Sequence, residues 1–264
     1  APIKRRSGLT QPGLTQADLN GWSDLIYDSC TLCGRCTIVC PMGIDIAGLV
    51  RKTREGLVAA DIVPEGLTGA AGRALETGSP LGIKPETFRK IVAEQSAETG
   101  IEIELDKAGA DYMVILSAME VLNFYEVIGA LARIFKKAGV SWTMSTKAYE
   151  ATNVGIQMGN KAIAKTLVSR VVDAAEELGV KYVVSPECGH AYSALKWEGP
   201  NLVGRTYKIE VIHILELLEE LCASGRINTK GKDARSPPLH APCEVVRRAG
   251  SVAEPGNRMH RAAS

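Results

Sequence analysis

Apolar and polar positions divide this chain into two regions of different rhythm. From Thr15 the pattern is helical: Thr15 offers a cap to residues 17–27, and apolar residues from Ile46 to Leu57 recur at helical spacing. A Pro- and Gly-punctuated zone from Pro64 to Pro85 predicts a connector, and a further helix is predicted from Pro85 to Glu98. Residues 111–243 behave differently, alternating short apolar runs with longer amphipathic stretches. Tyr112–Leu116, Val140–Met144 and Val180–Val184 read as strands; Phe124–Lys137, ending at Gly139, and Asn160–Leu178, ending at Gly179, read as helices. A fourth unit is expected with a helix from Ile209 to Cys222 and a weak strand near Leu239. Such alternation predicts βαβ units, and hence an α/β fold with a parallel, helix-covered sheet behind a small helical region.

Composition narrows the picture. With 264 residues, 45% apolar and 23% charged, the chain can build one large or two modest cores. A formal net charge of +1 and the lack of a basic recognition helix argue against nucleic acid. No apolar run approaches the roughly 18 residues that span a bilayer, so a soluble or peripheral protein is expected. Seven cysteines without a secretory leader suit a reducing, cytoplasmic compartment. The basic Ala1–Arg6 stretch reads as a solvated arm, and Trp22, Trp142 and Trp197 as packing residues.

The chemistry concentrates in Cys30-x2-Cys33-x2-Cys36-x3-Cys40-Pro41. This is the bacterial run for a [4Fe–4S] cluster: two-residue spacers let successive thiolates turn inward, soft sulfur suits iron, and Pro41 interrupts regular helix after the last thiolate. A zinc site would use two Cys-x2-Cys pairs separated by a longer loop, and the crowding of the first three cysteines disfavours disulfides. In two-cluster proteins the fourth cysteine of such a run serves the other cluster. Here either Cys40 closes the same cluster, or the fourth ligand comes from elsewhere.

Three cysteines lie downstream. Cys188, in Ser185-Pro186-Glu187-Cys188-Gly189-His190, falls between a strand and a short helix, which puts it at the carboxyl edge of the sheet, where a helix start favours thiolate. Cys243, in His240-Ala241-Pro242-Cys243, would emerge on the same edge if the last strand is parallel; the two thiols either converge or are unrelated and buried. His190 is placed to hydrogen-bond a thiolate or move a proton, or to cap the strand end. Cys222 continues the stripe Ile212, Leu215, Leu218, Leu221 and reads as core; His213 and Glu216 read as a structural or proton-transfer pair. Tyr149–Asn153 is expected to form a loop at the carboxyl edge.

Glu187-Cys188-Gly189-His190-Ala191, His240-x-Pro242-Cys243 with Arg247-Arg248-Ala249-Gly250, and the upstream cysteine run together resemble the heterodisulfide-reductase-like iron–sulfur proteins over most of residues 25–250. Within that family the chain is most similar to the catalytic iron–sulfur subunits that partner a membrane cytochrome b in sulfur metabolism. Members usually carry two cluster runs and a later Cys-Cys-Gly region; this chain has one run and stops at Ser264, which suggests a truncated product.

The resemblance implies a small N-terminal helical ferredoxin-like module followed by a Rossmann-like parallel-sheet domain. The expected divisions are 1–24, arm and first helix; 25–105, iron–sulfur module and connector; 106–250, the α/β domain; and 251–264, a tail. It implies a [4Fe–4S] cluster on Cys30, Cys33, Cys36 and Cys40, and a thiol/disulfide or sulfur-compound redox site at Cys188, His190 and Cys243, where a second iron–sulfur cluster would bind. Other redox subunits are the expected partners, among them a membrane cytochrome b that would hold the protein at the inner face of the membrane. The competing expectation is a non-catalytic electron-wiring or docking subunit with a single cluster.

Overall fold

The computed structural model describes residues 13, 15–150, 153–185 and 188–228. Thr15 caps α1 (Gln16–Ser23) in a reciprocal box with Asp18, and the helix continues through a π turn at Asp24–Asp28. Short α2 (Arg35–Ile38), α3 (Ile46–Ala59), α4 (Glu65–Thr77) and α5 (Pro85–Thr99) complete a helical region. The chain then alternates: β1 (Tyr112–Val114), α6 (Ala118–Asn123), α7 (Glu126–Ala138), β2 (Trp142–Thr143), α8 (Val154–Met158), α9 (Lys161–Leu178) and β3 (Tyr182–Ser185). After β3 come α10 (Gly189–Ser193), a π turn at Ala194–Glu198, α11 (Gly199–Val203), β4 (Glu210–His213) and α12 (Ile214–Ala223).

The four strands form one parallel sheet in the order β2-β1-β3-β4. Side chains alternate across it, so each face builds its own core. Val114, Val184 and Ile212 face Phe88, Ile128, Phe135 and Leu217, whereas Met113, Val183 and Val211 face Val168, Val172, Tyr192 and Leu195. A sheet buried on both sides needs near-continuous apolar strands, which is why the strands read as short apolar runs. The fold is α/β as expected, with the cysteine run in the helical part.

The structure corrects several local expectations. The Pro64–Pro85 zone is not a bare connector: α4 lies in it and buries Ala71 and Ala74 against Val154, Met158 and Leu167. Its small residues hid a helix whose contact face is narrow. The segment expected as helix from Ile209 opens instead with β4, because Val211 and Ile212 are buried on opposite sheet faces, and helix begins only after His213. The expected Phe124–Lys137 helix is α7, which begins two residues later at Glu126; the additional short α6 precedes it, and Phe124 and Tyr125 are exposed at their junction. Trp142 packs edge-on to Phe135, but Trp22 and Trp197 are 46% and 49% exposed and are not core. The strand near Leu239 and the N-terminal arm lie outside the described residues.

Gly159, with φ +88°, shows how closely the two regions approach. A Cβ there would stand 2.6 Å from the Arg54 carbonyl carbon on α3. Gly159→Ala should therefore cost about 3 kcal/mol, from left-handed backbone and overpacking together. Urea unfolding measures this, and a wild-type midpoint would contradict the close α3–α8 contact.

Candidate iron–sulfur site

The cysteine run is shaped by backbone turns. After the first π turn, Leu32 adopts φ 58° and Gly34 φ 74°, which folds the chain back between successive cysteines. A leucine in the left-handed region costs about 1–2 kcal/mol, and burying its side chain to 1% exposure offsets that cost. The turn brings the Leu32 amide to 3.4 Å from Cys30 Sγ, an N–H aimed at sulfur. Between Cys36 and Cys40, Thr37 donates to Asp45 at 3.1 Å and accepts from the Ala47 amide at 2.9 Å, tying the run to the start of α3.

The donor set fits an iron–sulfur cubane. Cys30, Cys33, Cys36 and Cys40 are all thiols rather than disulfides, Cys36 is exposed, and the others are half-buried. Among the described residues no three His, Cys, Asp or Glu side chains are gathered around a single ion. A cubane does not require that, since each thiolate takes a separate iron corner.

Beneath the run lies Arg54, 2% exposed. It donates to the Ile26 and Cys30 carbonyls, the latter at 2.6 Å, and on its other side to the carbonyl and Oε1 of Gln157 at the end of α8. Tyr27 lies under the guanidinium, 5.1 Å from ring centroid to Cζ, and its hydroxyl donates to the Met158 carbonyl at 2.9 Å. Burial lowers the Arg54 pKa, and the neighbouring Cys30 charge opposes that shift. The sequence contains a signal for Arg54: it lies seven residues after Ala47 and three before Leu57, on the buried stripe of α3.

Cys188 follows β3 at the carboxyl edge and caps α10, half-buried against the core on that side. The strand order reverses between β1 and β3, where the Ile115 amide donates to the Val184 carbonyl, so Cys188 stands beside the switch point at which such sheets bind ligands. His190 Nε2 lies 3.3 Å from the Thr31 carbonyl, inside the cysteine run. A carbonyl only accepts, so Nε2 carries the proton in this contact. The segment after β3 thus meets the helical region across the carboxyl edge. Glu187, His240, Cys243 and Arg247–Gly250 lie outside the described residues.

One other expectation changes, and one open pair of readings is decided. Cys222 is half-buried at the end of α12 and is not part of the core, which closes instead on Leu221. His213 is structural: its Nδ1 accepts from the Leu215 amide and Glu216 accepts from its own amide, a reciprocal cap of α12.

Tyr149 and Glu150 lie at the carboxyl edge as expected, beside the end of β1, with the Leu116 amide donating to the Tyr149 carbonyl. Glu150 is 3% exposed, and its carboxyl faces the Ser79 hydroxyl. Burial pushes its pKa up to about 7, with the Ser79 hydroxyl opposing. Nothing in the local sequence marks it as buried.

Residues 24–44 match the 4Fe-4S binding domain family. The chain is 27% identical to the Hdr-like menaquinol oxidoreductase iron-sulfur subunit 2 of Archaeoglobus fulgidus, over 86% of this chain and 49% of that protein. It is 29% identical to the EtfAB:quinone oxidoreductase of Syntrophomonas wolfei, over 89% of this chain and 33% of the relative. With one subunit of the dihydromethanophenazine:CoB–CoM heterodisulfide reductase of Methanosarcina acetivorans it shares 26% identity, over 92% and 58%. The chain spans about half the length of the first of these relatives. No solved structure matches it. Fold and site define an α/β protein with a [4Fe–4S]-binding helical segment. The relatives narrow that class: the chain is similar to heterodisulfide-reductase-like iron–sulfur proteins.

Glu150 yields a pH test. Its folded pKa is raised, so the stability gained by burying the neutral carboxyl is fullest below pH 4.5 and is lost as pH rises to about 7. Glu150→Gln should gain on wild type across that window by about 3 kcal/mol. Urea unfolding at several pH values measures it; a difference independent of pH would mean that the carboxyl is not buried neutral.

Proposed function

We propose that the chain is an iron–sulfur electron-transfer subunit of a multi-subunit oxidoreductase. Cys30, Cys33, Cys36 and Cys40 hold the [4Fe–4S] cluster, and a redox site around Cys188, His190 and Cys243 exchanges electrons with it. When bound, the cluster supplies one-electron storage. The chain's own residues do the rest. The Leu32 amide stabilises thiolate at Cys30, and His190 positions the Cys188 segment against the run and is placed to move a proton there. The observation that carries this reading is the contact of His190 with Thr31, which joins the two cysteine segments across the carboxyl edge. A module that served only an outside partner would not need that contact.

The chemistry at Cys188 and Cys243 is taken to be thiol/disulfide or sulfur-compound redox, with a second iron–sulfur cluster held there. Other redox subunits, a membrane cytochrome b among them, are the proposed partners. Two observations support the partners: the relatives are named as oxidoreductase subunits, and Leu25, Ile38, Val39, Met42 and Leu49 leave an exposed apolar surface around the run. No helix among the described residues is long and apolar enough to cross a membrane. In this reading the cytochrome b partner provides attachment to the membrane.

The anaerobically purified protein should contain about four irons and matching sulfide from the run. Cys33→Ala should lose them. A second paramagnetic centre, removed by Cys188→Ser but not by Cys222→Ser, would mark the catalytic site. Stoichiometric zinc without sulfide would end the cluster reading, and a single centre indifferent to Cys188 would leave a wiring subunit.

A further inference from the structure

We propose that Arg54 is a positioning residue for the iron–sulfur centre: its buried positive charge, locked under the first turn of the cysteine run and held there by α8, favours the reduced state and raises the reduction potential. The inference rests on the reading that Cys30, Cys33, Cys36 and Cys40 hold the cluster.

Arg54 differs from its neighbours on α3. Arg51 pairs with Glu198 and Lys52 with Glu55, so each surface cation has its carboxylate. Every acceptor of the Arg54 guanidinium among the described residues is instead a neutral oxygen: two carbonyls of the run and its leading turn, and two oxygens of Gln157. A guanidinium stays charged even when buried. At 2% exposure that charge is poorly screened by water or salt, and one of its donors stands 2.6 Å from the carbonyl of the first cysteine. Reduction by a one-electron donor such as dithionite makes and breaks no bond here. It adds one negative charge to the centre, beside a fixed cation that donates to no carboxylate among the described residues. Arg35, inside the run, is exposed and acts through solvent. The hydrogen bonds to Gln157 give the charge a definite place, and that place belongs to the α/β region.

Redox titration of the anaerobically loaded full chain, followed by EPR and referred to iron and sulfide content, tests this. Arg54→Met should lower the midpoint by the equivalent of about tenfold in the redox equilibrium, about 59 mV for one electron. Arg54→Lys, which keeps the charge but not the fork of hydrogen bonds, should lower it by less than half as much. Gln157→Glu leaves the arginine in place and sets a carboxylate against it, so the potential should fall in the same direction. That variant decides the matter if Arg54→Met cannot hold a cluster. Full cluster content with a wild-type potential in Gln157→Glu or Arg54→Met would overturn the proposal, as would equal shifts in the Met and Lys variants. A wild-type protein without iron and sulfide would instead overturn the cluster reading, and this inference with it.

Discussion

A buried guanidinium holds the two parts of this molecule in register. Taking a charge out of water costs several kcal/mol, and Arg54 meets that cost with five hydrogen bonds to oxygens on three chain segments. Those bonds are satisfied only if the turn after α1, the cysteine run and the end of α8 converge on one point. The α3 backbone must then lie almost against α8, and the residue at the contact is Gly159, where a Cβ would meet the Arg54 backbone. Tyr27 adds a cation–π face on one side and a hydrogen bond to Met158 on the other. The apolar contacts between the regions are adaptable in direction; these polar ones are not.

The second constraint is topological. Because the strand order reverses between β1 and β3, the connections leaving their carboxyl ends turn away from each other and open a crevice. Cys188 stands at its β3 side and Glu150 beside the end of β1, so a thiol and a buried acid flank the same sheet edge. Arg170 on α9 strengthens the seating by donating to the Ala74 and Leu75 carbonyls in the last turn of α4. The helical region is thus fastened by basic side chains to backbone carbonyls at two separate places, Arg54 and Arg170.

Legibility in the sequence followed burial geometry. Strands buried on both faces must be apolar throughout, so β1 and β3 were plain in Tyr112–Leu116 and Val180–Val184, and α9 was plain because an 18-residue helix repeats its stripe many times. The cysteine run was legible because ligand spacing is local. What failed was non-local. Helix α4 buries mainly alanines and so lacks a strong apolar period, and β4 was masked because its apolar residues run straight into those of α12. His190 could be suspected from its neighbour Cys188, but its partner Thr31 is 159 residues away. Glu150 carries no local mark at all, since only tertiary packing removes its water.

The contacts also bear on how the two cysteine segments influence each other. Thr31 lies between Cys30, whose carbonyl is fixed by Arg54, and Leu32, whose side chain is buried, so the carbonyl that faces His190 sits on a short stretch pinned at both ends. His190 is pinned as well, being the second residue of α10, whose first turn closes through the Tyr192 amide on the Cys188 carbonyl. A hydrogen bond between two mobile loops would transmit little, but one between two pinned segments makes the position of each depend on the other. Movement of the α10 segment would then be felt as a shift of the run against Arg54, and movement of the run as a change in the partner offered to His190. The same framework that sets the distance between the segments therefore gives movement of one a mechanical route to the other.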